Sequence, residues 1–224
     1  IVAVIDHPFE SQAVVFPNKR IVAYDESQVK DVLRFARERI EVRAADASFV
    51  IDQLAKLNAS SKVFRGRIDL KRIGILGHSR GGLAAPMACQ RDPRFKACAN
   101  MDGGTLGGPF YPDSVPKQPF IWFVRFKPEP SDDQLRDWKM TRQQWDQNRD
   151  RIESRANGYF RKIISGSYRV TLNGATHLTF SDVPLLSSDI GLETIAFHVR
   201  LTRIVSTYTL AFFDKNLKNE NPQL

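Results

Sequence analysis

The sequence predicts an α/β fold in which helices cover both faces of a mostly parallel β-sheet, and three observations support it. Short apolar segments with the character of strands alternate along the chain with longer segments of helical spacing. The apolar segments are continuous rather than interrupted by polar residues, as in strands that are buried on both faces. Ser79, Asp102 and His177 each follow such a segment closely, and reactive groups in parallel sheets lie at the carboxyl ends of the strands.

Composition and charge exclude several classes of protein. A chain of 224 residues with 42% hydrophobic content suits one domain, so we expect a single domain over residues 1–224 in which residues 105–165 form an insertion that walls a pocket. No apolar run approaches the roughly 20 residues that cross a membrane. The net charge of +8 is interleaved with acids and comes without a nucleic-acid-binding signature, so no nucleic-acid partner is expected. Cys89 and Cys98 have neither disulfide-framework nor zinc-site spacing, and whether they are bridged is left open.

The first third of the chain is predicted to hold a strand, a hairpin and a helical region. Residues 1–6 form an apolar run that has the character of a buried strand ended by Pro8. A hairpin is expected around Pro17-Asn18-Lys19, followed by helical spacing in two parts from Ser27 to Leu57. Because the chain opens inside an apolar run, the first strands of the fold are expected upstream of Ile1.

The remainder of the chain alternates strands and helices. A Gly/Pro-rich loop at residues 105–119 is long enough to have a function of its own. The last helix is amphipathic. Strands are predicted at residues 69–76, 97–101, 120–126 and 168–172, and helices at residues 82–90, 134–160 and 194–213. The apolar face of the last helix is predicted to carry Ile195, Val199, Thr202, Val205, Thr209 and Phe213.

A G-x-S-x-G motif, Gly77 to Gly81, stands between a predicted strand and a predicted helix. A nucleophilic serine at such a turn needs glycines two residues before and two after it, because strand and helix cross closely there. Ser79 would also stand at the positive end of the helix, which favours developing negative charge. The motif and its flanks predict that Ser79 is a nucleophile; the alternative is an ordinary strand-to-helix turn.

His177 is the candidate base. A serine hydroxyl requires a base within hydrogen-bond reach and a third group that orients this base. His177 lies in a loop after the last predicted strand, and the resulting order Ser, Asp, His is that of the α/β-hydrolase fold. His7 is the alternative candidate for the base and also a candidate pocket residue. His78 is a candidate pocket residue too, although we expect it to point away from the reacting side of Ser79. His198 lies inside the closing helix and is interpreted as a packing or surface residue.

Asp102 is the preferred candidate for the orienting acid. It ends the first strand after the nucleophile helix, in an Asp-Gly-Gly sequence where backbone can approach closely. Glu129, Asp132 and Asp133 follow the next strand and are alternatives. Asp182 would instead fix the histidine loop by bonding its backbone.

These segments resemble the platelet-activating-factor acetylhydrolase type of α/β-hydrolase, close also to dienelactone-hydrolase-like esterases. The resemblance implies that Ser79, Asp102 and His177 form a catalytic triad and that the backbone N–H of Arg80 is an oxyanion donor. A second donor in this family comes from an HG-type loop, which this sequence lacks and which is expected upstream. The matching segments are VAVIDHP (2–8), DLKRIGILGHSRGG (69–82), FKACANMDGG (95–104), YRVTLNGATHLTFSD (168–182) and TLAFFDKNL (209–217).

The expected function is therefore that of a serine esterase acting on small-molecule or lipid esters, with short acyl groups, through an acyl-enzyme and without metal or cofactor. Trp138 and Trp145, seven residues apart, are candidate pocket residues, with core packing as the alternative. An aromatic helix beside a basic surface also predicts peripheral contact with lipid. The alternatives are a general carboxylesterase or dienelactone-type hydrolase on small or polymeric esters, and a non-catalytic binding protein of the same fold. The sequence leaves the compartment unknown, with an extracytoplasmic or secreted location favoured.

Overall fold

The computed structural model describes residues 1–25, 27, 29, 31–103, 115–163, 166–186 and 191–220. The chain divides into two compact units, residues 1–70 and residues 71–224. The prediction of a single domain over 1–224 stays a prediction. Residues 105–114 of the predicted Gly/Pro-rich loop (105–119) lie outside the described residues.

The unit of residues 1–70 contains the predicted hairpin and one long helix. Strand β1 (Ala13–Val15) pairs antiparallel with β2 (Ile21–Ala23), which confirms the hairpin. Helix α1 spans Val32–Ser60 without a break, so the prediction of two helical parts is wrong. The two parts are joined because a buried stripe continues between them at helical spacing and no Gly or Pro interrupts it. This stripe consists of Ile40, Ala44, Ala47 and Ile51.

The predicted strand over residues 1–6 is wrong. Residues 1–7 have no regular secondary structure, and Val2 and Val4 are 87% and 86% exposed. An extended apolar segment becomes a strand only when a neighbouring strand bonds its backbone groups. Within the described part of the chain, no strand pairs with this segment.

The unit of residues 71–224 is built around a four-stranded sheet. Its strands are β3 (Ile73–His78), β4 (Phe95–Met101), β5 (Phe120–Arg125) and β6 (Tyr168–Leu172). They lie in chain order and every neighbouring pair is parallel, which confirms the predicted sheet. The strands that follow one another in sequence therefore end at the same edge of the sheet.

Helices cover both faces of this sheet. Helix α2 (Arg80–Arg91) packs on one face, where its Gly82 lies against the side chain of Asn100. Helix α5 (Leu192–Phe213) packs on the other face, against inward residues of β4, β5 and β6. The helix residues in this core are Leu201, Val205 and Phe212, and the sheet residues are Ala97, Ala99, Ile121, Phe123 and Leu172.

The apolar face predicted for α5 is partly wrong. Val205 is buried as expected, but Val199 is 52% exposed, and His198, Leu201 and Phe212 are buried instead. The buried stripe is shifted because His198, Leu201, Val205 and Phe212 follow one another at steps of three, four and seven residues, which places them on one helix face against the sheet. The sequence contains apolar side chains on both stripes, so periodicity alone does not choose between them.

The predicted helix over residues 134–160 is two helices, α3 (Asp132–Asp137) and α4 (Arg142–Arg161). Each begins with a capping box, in which a hydroxyl accepts from the backbone N–H three residues on: Ser131 with Gln134, and Thr141 with Gln144. The second cap starts a new helix and so divides the segment. None of the helices in the described residues is both long and apolar enough to span a membrane.

Candidate active site

Ser79 lies on a strained turn between β3 and α2. Its φ of 57° and ψ of −121° are unusual for a residue with a side chain. Its backbone N–H donates to the carbonyl of Met101 at 3.0 Å, which ties the turn to β4. A Cβ at Gly77 would lie 2.3 Å from the backbone of Gly81, so strand and helix cross where only glycine fits. The backbone thus presents the Ser79 hydroxyl at the edge of the sheet.

Asp102 occupies the equivalent position at the end of β4. Its φ is 46°, its N–H donates to the carbonyl of Phe123 at 2.9 Å, and its side chain is buried. The next N–H, that of Gly103, donates to Asn100 Oδ1 at 2.7 Å. Asn100 Oδ1 would also lie 2.4 Å from a Cβ at Gly82. The buried amide of Asn100 therefore bonds the turn after β4 and leaves no room for a side chain at Gly82 near the start of α2.

His177 joins these two side chains. It opens a short 3₁₀ turn, His177–Phe180, beyond the end of β6. His177 Nε2 lies 2.9 Å from Ser79 Oγ, and Nδ1 lies 2.7 Å from Asp102 Oδ2. Because the carboxylate only accepts, Nδ1 carries the proton and Nε2 is left to accept from the serine hydroxyl. The structure therefore brings the three sequence-predicted residues into one hydrogen-bonded chain.

Arg125 was missed by the sequence reasoning. It is the last residue of β5, and its Nε lies 2.9 Å from Asp102 Oδ2, on the same oxygen that His177 contacts. The pair is ionic without hydrogen-bond geometry, since Arg125 Nε has no hydrogen-bond partner. Its position at the end of a strand was the only sequence signal: Arg125 is the last residue of β5, which lies next to β4, and so comes close to Asp102 at the end of β4.

The alternative acids lie elsewhere. Glu129 accepts from Trp145 Nε1 at 3.3 Å and pairs with arginines. Asp132 is 2.7 Å from Arg142 Nη2, and Asp133 pairs with an arginine one helical turn away. Asp182 is exposed, and its carbonyl accepts from the N–H of Leu185 at 2.9 Å. Among the described residues, Asp102 is the only carboxylate that bonds His177.

The four candidate pocket residues are placed differently. A cavity of about 620 Å³ opens at the triad, and Trp145 lines it, with Trp138 packed on Trp145 at 5.6 Å between ring centroids. His7 belongs to the other unit, with Nδ1 3.2 Å from Asp46. His78 does not line the cavity, and its Nε2 lies 2.8 Å from the carbonyl oxygen of His177. The cavity is lined by Ser79, Arg80, Leu83, Asp102, Gly103, Trp122, Val124, Arg125, Phe126, Lys127, Glu129, Trp145, Asn148, Arg149, Ile152, Glu153, Ala156, Arg169, Thr171 and His177.

Acids partner several of the basic side chains in this lining. Arg149 Nη1 pairs with Glu129, and Arg169 Nη2 lies 3.2 Å from Glu153. The guanidinium of Arg169 also lies over the ring of Trp122, 5.1 Å from its centroid. Pairing restrains these side chains, so the wall formed by α4 has a defined shape as well as charge.

The remaining candidates for chemistry play no part in the cavity. Cys89 and Cys98 are both free and buried, and burial raises the pKa of the Cys98 thiol well above its usual range. His198 is buried in α5, 3.4 Å from the hydroxyl of Thr202. No group of His, Cys, Asp and Glu side chains suited to a metal ion occurs in the part of the chain that the structure describes.

Comparison with known proteins supports the fold and the resemblance. No family model matches the chain. It is 34% identical over 108 residues to a probable 1-alkyl-2-acetylglycerophosphocholine esterase of Arthroderma benhamiae; the match covers 47% of this chain and 24% of that protein. The fold is similar to that of a ferulic acid esterase from Streptomyces cinnamoneus, with a TM-score of 0.65, 23% identity, and coverage of 97% of this chain and 59% of the other.

The two matches agree with the parallel sheet and with the resemblance identified from the sequence. The chain spans about a quarter of the length of its curated relative and somewhat more than half of the solved structure. The chain has an α/β-hydrolase fold, and it is similar to esterases of the platelet-activating-factor acetylhydrolase type.

Proposed function

We propose that this chain is a serine esterase that hydrolyses carboxylic esters through a covalent acyl-enzyme. The observation that carries the proposal is the chain of contacts from Ser79 Oγ to His177 at 2.9 Å and from His177 to Asp102 at 2.7 Å. The names of the curated relative and of the structural neighbour, both esterases, support the same reaction.

In the acylation step, Ser79 Oγ attacks the ester carbonyl carbon while its proton passes to His177 Nε2. Asp102 holds the imidazole in the tautomer that can accept this proton and stabilises the imidazolium that forms. The tetrahedral intermediate then collapses, and the alcohol leaves with the proton from Nε2. The guanidinium of Arg125, with Nε 2.9 Å from Asp102 Oδ2, attracts the negative charge of this carboxylate.

The oxyanion of the intermediate would bind at the start of α2. The backbone N–H of Arg80 is the first of this helix, directly after Ser79, and the helix N-terminus favours negative charge there. In the second step His177 activates a water, which attacks the acyl carbon and releases the acid. The step regenerates the Ser79 hydroxyl.

The substrate is proposed to be an ester with a short acyl group, as in the name of the curated relative. The cavity gives the acyl group an apolar contact at Leu83 beside Ser79, and the larger part of the substrate faces α4. A second candidate is an ester with an aromatic group, because Trp145 offers a flat apolar face in the cavity and Trp138 supports it from behind. Contact with lipid stays a prediction.

Covalent labelling tests the reaction. A fluorophosphonate probe should label the wild-type protein once per chain, and Ser79→Ala should abolish labelling, because only an activated serine attacks phosphorus. The control is Ser131→Ala, since Ser131 caps α3 and lies outside the cavity lining. A folded wild-type protein that resists the probe would favour the non-catalytic binding protein.

A panel of esters then tests the substrate class. p-Nitrophenyl acetate, butyrate and octanoate should be hydrolysed with kcat/KM falling as the acyl chain lengthens. The rate of hydrolysis of methyl ferulate, an ester with an aromatic group, tests the second candidate substrate directly. A kcat/KM that rises towards octanoate would contradict the short-acyl proposal but not the esterase activity.

A further inference from the structure

His78, the residue before the nucleophile, contacts the base through both its ring and its hydrogen bond. Its Nε2 lies 2.8 Å from the carbonyl oxygen of His177, and the two ring centroids are 4.6 Å apart. The ring of Phe180, at the end of the same 3₁₀ turn, stacks on His78 with centroids 5.8 Å apart. The established triad pattern does not require any of these contacts.

The hydrogen bond fixes the main chain of the base to the strand of the nucleophile. A carbonyl oxygen only accepts, so Nε2 of His78 must carry a proton and donate it. His78 ends β3 and Ser79 follows it directly, so two consecutive residues hold His177, one by its carbonyl and the other by its ring. A 3₁₀ turn has weak internal bonds, and an external anchor restricts how far its first residue moves.

The charge state of His78 matters to the base beside it. The titratable groups that face it are His177, on the 3₁₀ turn, and Asp102, at the end of β4. Burial, followed by the charge of His177, lowers the pKa of His78 below its usual value. At and above pH 6.5, His78 is therefore a neutral donor. Its protonation would place a cation beside the imidazolium that forms on His177 during acylation and would oppose it.

We propose that His78 is a positioning residue for the base, holding the His177 main chain as a neutral hydrogen-bond donor. The inference rests on the proposed esterase function. His78 does not line the cavity, so its effect should fall on the chemical step rather than on substrate binding.

Two variants separate the donor from the ring. His78→Phe keeps a ring against His177 and Phe180 but removes the donor, and His78→Gln keeps an N–H near the position of Nε2 but cannot be protonated. With p-nitrophenyl acetate, we expect His78→Phe to lower kcat by about 10- to 100-fold, the cost of a base displaced by about 1 Å, with KM little changed. His78→Gln should recover most of kcat. The matched control is His198→Gln, a buried histidine outside the site, which should retain the wild-type kcat.

The pH profile gives a readout that a purely structural role would not move. In the wild-type protein, the slope of the acid limb of log kcat/KM against pH should exceed one proton at the lowest pH values, because turnover then requires a neutral imidazole at both His78 and His177. In His78→Gln the limb should keep the slope of one proton.

Each outcome decides the proposal. Loss of kcat in His78→Phe, its recovery in His78→Gln and the change of slope support it. Wild-type kcat in His78→Phe, or equal losses in both variants, overturns it while the esterase activity stands. If His78→Phe does not fold, identical acid limbs in wild type and His78→Gln overturn it. A wild-type protein inert to fluorophosphonate and esters removes the proposed function as well.

Discussion

The two walls of the cavity are built on different principles. At the sheet edge, Ser79 and Asp102 have backbone angles with positive φ, and both backbone N–H groups bond to a neighbouring strand. On the α4 wall, Trp145 and Arg149 sit on an ordinary helix and are placed by side-chain contacts with Glu129, whose side chain is 59% exposed. Backbone hydrogen bonds of the sheet position the first wall, whereas contacts between side chains position the second.

Under the proposed function, the sheet edge would carry out the hydrolysis and the α4 wall would select the ester. Groups that act on the ester need positions held within a fraction of an ångström, and strands of a parallel sheet supply them. Groups that choose the ester can vary without loss of the fold, because exposed ion pairs contribute little to stability. We therefore expect substitutions at the sheet edge to abolish turnover or folding, and substitutions on α4 to change which esters are preferred.

The largest effect is expected at the acid. Asp102→Asn should lower kcat by about 10,000-fold, because an amide favours the wrong tautomer of His177 while the geometry is kept. Steady-state kinetics with p-nitrophenyl acetate measures it. Asp132→Asn is the matched control, since Asp132 pairs with Arg142 at the surface and should keep kcat. A loss in Asp132→Asn with activity retained in Asp102→Asn would reverse the assignment of the acid.

Next in size is the glycine contact that joins α2 to β4. Gly82→Ala would place a Cβ 2.4 Å from Asn100 Oδ1, so we expect a loss of about 1–3 kcal/mol in the free energy of unfolding. Gly81→Ala is the matched variant, because nothing lies within 4 Å of its added Cβ and alanine favours a helix by about 0.5–1 kcal/mol. Urea unfolding compares them. Equal stabilities would show that the sheet edge tolerates more than the structure implies.

A smaller effect is expected on the opposite wall. Trp145→Ala should raise KM for aromatic and longer esters by about tenfold, the contribution of one well-placed ring, and leave kcat for p-nitrophenyl acetate nearly unchanged. Trp138→Ala should have a weaker effect, because Trp138 does not line the cavity. Uniform loss of kcat over all esters would mean that α4 takes part in the chemistry.

The smallest effect concerns pH and stability. The ordinary pKa of a histidine is 6.5, and burial lowers that of His78 in the folded protein. Below pH 6.5, His78 therefore binds a proton in the unfolded chain but not in the folded protein. As the pH is lowered from 6.5, the free energy of unfolding decreases until the pKa of folded His78 is reached. Above pH 6.5 the residue adds no such dependence. Urea unfolding at pH 7 and pH 5 should show a smaller loss in His78→Gln than in wild type.

Local chemistry made the sheet edge predictable from the sequence. The glycine two residues before Ser79 is required by a steric crossing, whereas the predicted need for glycine at Gly81 is not supported, since nothing lies within 4 Å of a Cβ added there. The order of strands places Asp102 and His177 at the same edge. These constraints act within a few residues or follow from parallel topology, so one sequence is sufficient to recognise them. The catalytic roles themselves stay proposals.

Other features could not be predicted from the sequence because they depend on residues that are far away along the chain. The ion pair of Arg125 with Asp102 requires the neighbouring strand, and the contact of His78 with His177 spans 99 residues. The strand over residues 1–6 failed for the same reason, since apolar character does not provide a pairing partner. Helix α5 has apolar residues on two stripes, and only the sheet determines which is buried.

The hydrogen bonds of the sheet continue one residue past the ends of β3 and β4, to the N–H groups of Ser79 and Asp102. The proposed nucleophile and the proposed acid are therefore bonded into the central sheet rather than carried on separate loops. On heating, we therefore expect any esterase activity and the folded structure of the sheet to be lost in the same cooperative transition. A folded but inactive form should not accumulate at any intermediate temperature.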